Sequence, residues 1–129
     1  RPMIAVYIDE SGSVSNKELA AFYAELDNLS RNTDFYLYKF DHSVDDKGGF
    51  LWKKNKRPNM HRSLTGGTSF KAVSNHAIKN KRKFDGYIVL TDGGALKPGP
   101  SFRMKRCWIL AKNCKLAFEA DKSDVIINM

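Results

Sequence analysis

The segment Met3-Ile4-Ala5-Val6-Tyr7-Ile8-Asp9-Glu10-Ser11-Gly12-Ser13 joins a short apolar run to a cluster of turn-forming, oxygen-bearing residues. An apolar run of this length that ends in turn residues is typical of a buried parallel strand. Open α/β folds bind ligands at the carboxyl ends of such strands. The segment would therefore bring the carboxylate of Asp9 and the hydroxyls of Ser11 and Ser13 to a ligand-binding edge of a parallel sheet.

Two further segments supply the same kinds of oxygen. One is the glycine-rich Thr65-Gly66-Gly67-Thr68-Ser69, and the other is Thr91-Asp92-Gly93-Gly94, which follows the apolar run Tyr87-Ile88-Val89-Leu90. Carboxylate and hydroxyl oxygens suit a hard cation such as Mg²⁺ and do not suit zinc. We interpret the three segments as parts of one site. Taken singly, each is also typical of a helix cap or an ordinary loop.

The three motifs, in this chain order, resemble the von Willebrand factor A-like (vWA-like) domain and its metal-ion-dependent adhesion site. The resemblance runs from about Ile4 to Leu110 and is strongest to a bacterial and phage branch. In that branch the domain follows a metallopeptidase-like region. The resemblance implies a three-layer, Rossmann-like α/β fold with a mainly parallel central sheet, an antiparallel edge strand and flanking helices. Because the chain begins with Arg rather than Met, we expect residues 1–129 to be one domain at the end of a longer chain.

The resemblance also implies how the site works. The hydroxyls of Ser11 and Ser13 would bind Mg²⁺ or Mn²⁺ directly, and Thr68 would bind it directly or through water. Asp9 and Asp92 would act mainly through bound water. An ion held in this way keeps an open position for a carboxylate of a protein partner. In the related branch that partner could be an AAA+ ATPase.

Hydrophobic periodicity and turn signals outline the other elements. Ser15-Asn16-Lys17-Glu18 has the form of a capping box, which predicts a helix from about Asn16 to Ser30. Thr68 or Ser69 is expected to cap a second helix. The predicted strands, besides the first, are Phe35–Phe40, a short edge strand at Phe50–Lys53, Tyr87–Leu90, Cys107–Ala111 and a last edge strand at Val125–Ile127.

Composition limits the class of protein. Of 129 residues, 42% are hydrophobic and 28% are charged, as in an ordinary globular domain. No apolar run is long enough to span a bilayer, and the start is not a signal peptide. Cys107 and Cys114 have neither redox nor zinc spacing, so we expect buried, reduced thiols in a cytoplasmic protein that does not bind membranes.

The net charge of +8 admits a second function. Basic residues cluster at 53–57, 61–62, 79–83 and 103–106, and such clusters can neutralise phosphates. No nucleic-acid signature accompanies them, and Trp52 is the large aromatic residue inside a basic run. We therefore favour a solvated cationic surface that attracts acidic partners. Nucleic-acid binding, or a scaffold that binds no metal, remains the alternative.

Catalysis is not expected of this chain. Ser11 lacks a nucleophile elbow, no His-Glu-x-x-His occurs, and the loop at 65–68 lacks the lysine of a phosphate-binding loop. Two positions differ from the family pattern: Glu10, which we expect to face solvent, and Ser69, which replaces a frequent Asp.

Overall fold

The computed structural model describes residues 2–129, which form one six-stranded sheet and two α-helices. The elements are β1 (Ile4–Asp9), α1 (Asn16–Ser30), β2 (Phe35–Phe40), β3 (Phe50–Trp52), α2 (Phe70–Lys79), β4 (Gly86–Thr91), β5 (Lys105–Leu110) and β6 (Val125–Asn128). The strand order is β3-β2-β1-β4-β5-β6. Only β3 is antiparallel to its neighbour. The predicted α/β fold with a mainly parallel sheet and an antiparallel edge strand is confirmed.

The two helices cover opposite faces of the sheet, because side chains along a strand alternate between its faces. In β1, Ala5 and Tyr7 belong to the core on the α2 side. Val6 and Ile8 belong to the core on the α1 side. A central strand buried on both faces needs a continuous apolar run, and this is why β1 could be recognised from sequence. No helix of residues 2–129 has the length and apolar character needed to cross a membrane.

Both helices begin at side-chain caps. Ser15 Oγ accepts a hydrogen bond from the Glu18 amide at 3.0 Å, and Glu18 Oε1 accepts one from the Ser15 amide at 2.9 Å. This confirms the capping box and the start of α1. Ser69 caps α2 by accepting from the Ala72 amide at 3.1 Å. Thr68 is therefore not the cap, and its hydroxyl can serve the polar site.

Glu10 is buried, so the prediction that it faces solvent is wrong. Its side chain is 0% exposed. Oε1 accepts hydrogen bonds from the Ser63 and Leu64 amides at 2.8 and 3.2 Å. Oε2 lies 3.5 Å from Lys39 Nζ and accepts from the Tyr23 hydroxyl at 3.3 Å. Glu10 thus ties the end of β1 to α1, to β2 and to the loop at 63–64. These contacts offset the cost of burying its charge.

The cysteines and one basic cluster also differ from expectation. Cys107 and Cys114 are free but only partly buried, and Cys114 packs at the margin of the α1-side core rather than inside it. Burial still raises the pKa of the Cys107 thiol. Arg106, placed by sequence in a surface cluster, is 2% exposed. It is paired with Asp124 at 2.8 Å and Asp121 at 3.1 Å, so its charge is neutralised internally.

Replacing Glu10 by Ala should destabilise the fold by about 3–5 kcal/mol, since the change leaves the Ser63 and Leu64 amides without their acceptor and the Lys39 charge without its acidic partner. The measurement is the free energy of urea unfolding. Glu119→Ala is the matched control, because Glu119 is exposed and should change stability by no more than about 0.5 kcal/mol. Equal stabilities of the two variants would contradict the anchoring role of Glu10.

Candidate metal centre

The polar residues predicted from sequence lie where the strand order reverses. β1 has β2 on one side and β4 on the other: the chain leaves β1 through α1 toward β2, and it returns from β3 through α2 to β4 on the opposite side of β1. This topology opens a crevice beyond the carboxyl ends of the strands, the usual ligand site of open α/β sheets. Three loops meet there: the one after β1, the one before α2 and the one after β4.

Asp9 lies at the base of this crevice and is 0% exposed. Its Oδ1 accepts hydrogen bonds from the Ser11 amide at 2.9 Å and from the Ser11 hydroxyl. Its Oδ2 accepts one from Thr91 Oγ1 at 2.6 Å. Burial raises the pKa of Asp9, the charge of Asp92 adds to the rise, and these hydrogen bonds oppose it. Burial therefore makes the charged form of Asp9 less favourable than that of an exposed aspartate.

The other predicted residues surround Asp9. Thr68 Oγ1 donates to Ser11 Oγ at 2.6 Å, which extends the Asp9–Ser11 contact to the loop before α2. Ser13 Oγ donates to Asp92 Oδ2 at 2.7 Å. The structure thus brings all five residues to one edge in two hydrogen-bonded groups. Ser11 and Ser13 share a loop, and the charge of Asp92 acts on Asp9, so the groups adjoin.

The crevice is closed at its base and open at its mouth. Asp9 and Ser11 are buried, Thr68 and Asp92 are half-buried, and Ser13 is exposed. A small ion bound among these oxygens would have protein on one side and solvent on the other.

Arg62 holds the loop after β1 in place, and sequence analysis missed this role. Its Nη1 donates to the carbonyls of Glu10 at 2.9 Å and Ser11 at 3.2 Å, and its Nη2 donates to the Val14 carbonyl at 2.5 Å. Arg62 had been assigned to a solvated basic cluster. Its partners lie about fifty residues earlier in the chain, and no local pattern reveals such a pairing.

Glycine allows the loops to approach one another closely. The Gly12 amide donates to the Gly66 carbonyl at 2.9 Å. A Cβ at Gly12 would lie 2.8 Å from the Thr65 carbonyl oxygen, which is shorter than a tolerable contact. Any larger residue at position 12 would push the loop before α2 away from Ser11.

Two further residues support the site and were not named as ligands. Thr91 Oγ1 accepts from the Gly93 amide at 3.1 Å while it donates to Asp9, so it links the turn after β4 to the base of the crevice. Asp41 is 5% exposed, and its Oδ2 accepts from the Gly66 amide at 3.1 Å. In the sequence, the position of Thr91 next to Asp92 could have indicated its role in the site. Asp41 looks like an ordinary turn residue in the sequence.

The donor set fits a hard cation. Among residues 2–129, neither Asp9 nor Asp92 takes part in an ion pair, so two neighbouring carboxylates have no cationic partner of their own. That part of the chain also has no group of three or more His, Cys, Asp or Glu side chains that could hold a metal. The hydroxyls of Ser11, Ser13 and Thr68 would have to complete the coordination, with water. All-oxygen ligation with retained water is typical of Mg²⁺ and Mn²⁺.

Comparison with solved structures shows the same fold in proteins of low sequence identity. An aerotolerance-related membrane protein from Bacteroides fragilis matches with a TM-score of 0.62 at 13% identity, over 95% of this chain and 75% of that one. BatB from Bacteroides thetaiotaomicron matches with a TM-score of 0.64 at 11% identity, over 100% and 90%. The ArnB paralog VWA2 from Sulfolobus acidocaldarius matches with a TM-score of 0.57 at 15% identity, over 84% and only 34%.

A comparison with curated proteins gave no match. The sequence does match a family described as a VWA-like domain (DUF2201), over residues 4–119. The match includes the loops that carry Asp9, Thr68 and Asp92, and it extends beyond the stretch from Ile4 to Leu110 where the sequence motifs occur. The chain therefore belongs to the VWA-like domain family DUF2201.

Proposed function

We propose that this chain is a metal-ion-dependent protein-recognition domain. Mg²⁺ or Mn²⁺ binds among Asp9, Ser11, Ser13, Thr68 and Asp92, and a carboxylate of a protein partner completes its coordination. The VWA-like fold supports a protein-interaction or scaffold role. Metal binding distinguishes an interaction role from a scaffold role, because a scaffold would not need a metal ion.

One observation carries the proposal: a buried carboxylate without a cationic partner lies next to hydroxyls from separate loops. Ser11 Oγ contacts both Asp9 and Thr68 Oγ1, so it already stands between two oxygens that could share an ion with it. In the absence of an ion, these hydroxyls hydrogen-bond to one another and to the carboxylates. Binding would replace those contacts with metal–oxygen bonds and would offset the repulsion between Asp9 and Asp92.

The open side of the site supports recognition of an acidic partner. Two carboxylates balance the charge of a divalent ion without occupying all its positions, and Ser13 is solvent-exposed. A partner carboxylate could reach the ion from that side. By resemblance, the partner would be an AAA+ ATPase or a metallopeptidase-like region of the same chain, in a cytoplasmic complex.

Binding is a better account of this site than hydrolysis. A serine nucleophile needs a base positioned to take its proton. The acceptor of the Ser11 hydroxyl is Asp9, which would lie beside a cation that lowers its basicity. Mg²⁺ also acidifies bound water less than zinc does. We therefore propose no catalytic role for the isolated chain.

Mg²⁺ should raise the melting temperature of the chain, because a ligand that binds only the folded state stabilises it. At a concentration 100-fold above Kd, the gain is about 2.7 kcal/mol. Asp9→Asn should abolish this shift. The raised pKa of Asp9 means that its charge disfavours folding without metal, so the metal-free variant should melt no lower than wild type near neutral pH. Thermal melts with and without EDTA measure both effects.

Asp34→Asn is the matched control for this experiment. It removes the same charge from the opposite edge of the sheet, just before β2, and should keep the full Mg²⁺ shift. A shift that survives in Asp9→Asn would place the metal elsewhere on the chain.

Partner capture should depend on the metal. A purified AAA+ ATPase from the same organism, passed over the immobilised chain, should be retained in Mg²⁺ and released by EDTA. Thr68→Ala should weaken capture, since it removes one hydroxyl from the coordination. Ser123→Ala should not weaken capture, because Ser123 is exposed and lies far along the chain from the proposed metal ligands. EDTA-resistant capture that Thr68→Ala leaves unchanged would contradict recognition through the ion.

A further inference from the structure

Nine exposed basic residues gather at the edge of the sheet opposite the metal site. The amino ends of β1, β2, β4 and β5 and the carboxyl end of the antiparallel β3 all lie there. The chain segments that lead into or out of these ends carry the exposed cations Lys53, Lys54, Lys56, Lys79, Lys81, Arg82, Lys83, Arg103 and Lys105. The sequence scatters these residues over fifty positions, and the topology brings them to one edge.

A concavity of about 880 Å³ opens at this basic edge. Its apolar lining includes Ile78, Phe84 and Met104, and its cationic lining includes Lys81 and Arg103. The one carboxylate in the lining, Asp85, accepts a hydrogen bond from the Met3 amide at 2.9 Å. Neither cation takes part in an ion pair in the described chain. An apolar hollow with free positive charge at its rim suits a ligand that has a flat apolar part and an anionic part.

Phe102 stands at this concavity and is 76% exposed. Its φ is +56°, a left-handed conformation that a bulky residue adopts only at a cost. A large aromatic ring held in solvent by a strained backbone, with Arg103 beside it in sequence, offers a face on which another ring can stack. Trp52, the aromatic residue noted in a basic run, is 0% exposed and cannot do so.

We propose that this basic edge binds single-stranded nucleic acid. Phe102 stacks on a base at the mouth of the concavity, Lys81 and Arg103 contact the phosphates next to it, and the other cations of the edge attract the rest of the strand. Positive grooves combined with exposed aromatic rings are how proteins bind single strands without strong sequence preference. A membrane surface is flat and would leave the concavity unfilled, so it fits these observations less well.

This site is separate from the proposed metal site. The six residues of β1 set the two edges of the sheet roughly 20 Å apart. Nucleic-acid binding should therefore persist in EDTA and in Asp9→Asn, while metal binding should persist in variants of the basic edge. Either proposal can fail without the other.

The test is fluorescence anisotropy of a labelled oligothymidylate of about 12 nucleotides, titrated in EDTA at several salt concentrations. Phe102→Ala should weaken binding by about 5- to 100-fold, because one base loses its stacking partner. Phe102→Trp should retain affinity, and its fluorescence should be quenched on binding.

Lys81→Gln and Arg103→Gln should each reduce the slope of log affinity against log salt by about 0.7. Thermal melts establish that each variant folds.

Lys112→Gln is the matched control. Lys112 is exposed and follows β5 at the metal-site edge, so this variant removes a charge without touching the basic edge. It should bind as wild type does.

Absence of binding at low salt would overturn the proposal. Equal losses of affinity in Lys112→Gln and Lys81→Gln, together with no loss in Phe102→Ala, would overturn it as well. Polyglutamate that competes as well as oligothymidylate, or a preference for phosphatidylserine vesicles that depends on Phe102, would also overturn it.

Discussion

Two adjacent buried carboxylates at the end of β1 organise this molecule. Glu10 and Asp9 are both 0% exposed, and a buried charge must be compensated or it destabilises the fold. Glu10 is compensated within the chain, by Lys39, two loop amides and the Tyr23 hydroxyl. Asp9 has only hydroxyls and an amide as partners. The first carboxylate therefore fixes the loop at 63–64 on the sheet. The second has no cationic partner within residues 2–129, and we propose that a divalent cation held with the neighbouring hydroxyls supplies one.

The secondary structure could be predicted from sequence because its signals are local. β1 and β4 are continuous apolar runs, and α1 begins at a capping box whose partners are three residues apart. The convergence of Asp9, Thr68 and Asp92 was also predictable, since parallel strands bring their carboxyl ends to one edge. The structure was needed to choose between Thr68 and Ser69 as the cap of α2 and to place β5 at Lys105–Leu110 rather than at Cys107–Ala111.

The remaining errors concern polar residues whose partners are distant in sequence. Glu10 and Arg62 each bind groups about fifty residues away, and Arg106 pairs with acidic residues in the segment that precedes β6. In sequence these residues look like surface charge, because charged residues usually are exposed. Their burial depends on loops whose course follows no periodic pattern.

The fold places the proposed metal site and the main cluster of exposed basic residues at opposite edges of the sheet. Carboxylates and hydroxyls collect where the parallel strands end, and exposed lysines and arginines collect where they begin. We therefore propose that this domain binds a cation and an acidic partner at one edge and a polyanion at the other. Arg106 and Arg62 do not contribute to the basic edge, since both are committed to internal contacts.

The central claim is that the oxygens around Asp9 bind a divalent cation, and anomalous diffraction from crystals grown with Mn²⁺ tests it most directly. Our account predicts a single strong peak about 2.1–2.2 Å from Ser11 Oγ and Ser13 Oγ, with Thr68, Asp9 and Asp92 in contact directly or through water. A peak bound elsewhere on the chain, or no peak near Asp9 at saturating Mn²⁺, would contradict it.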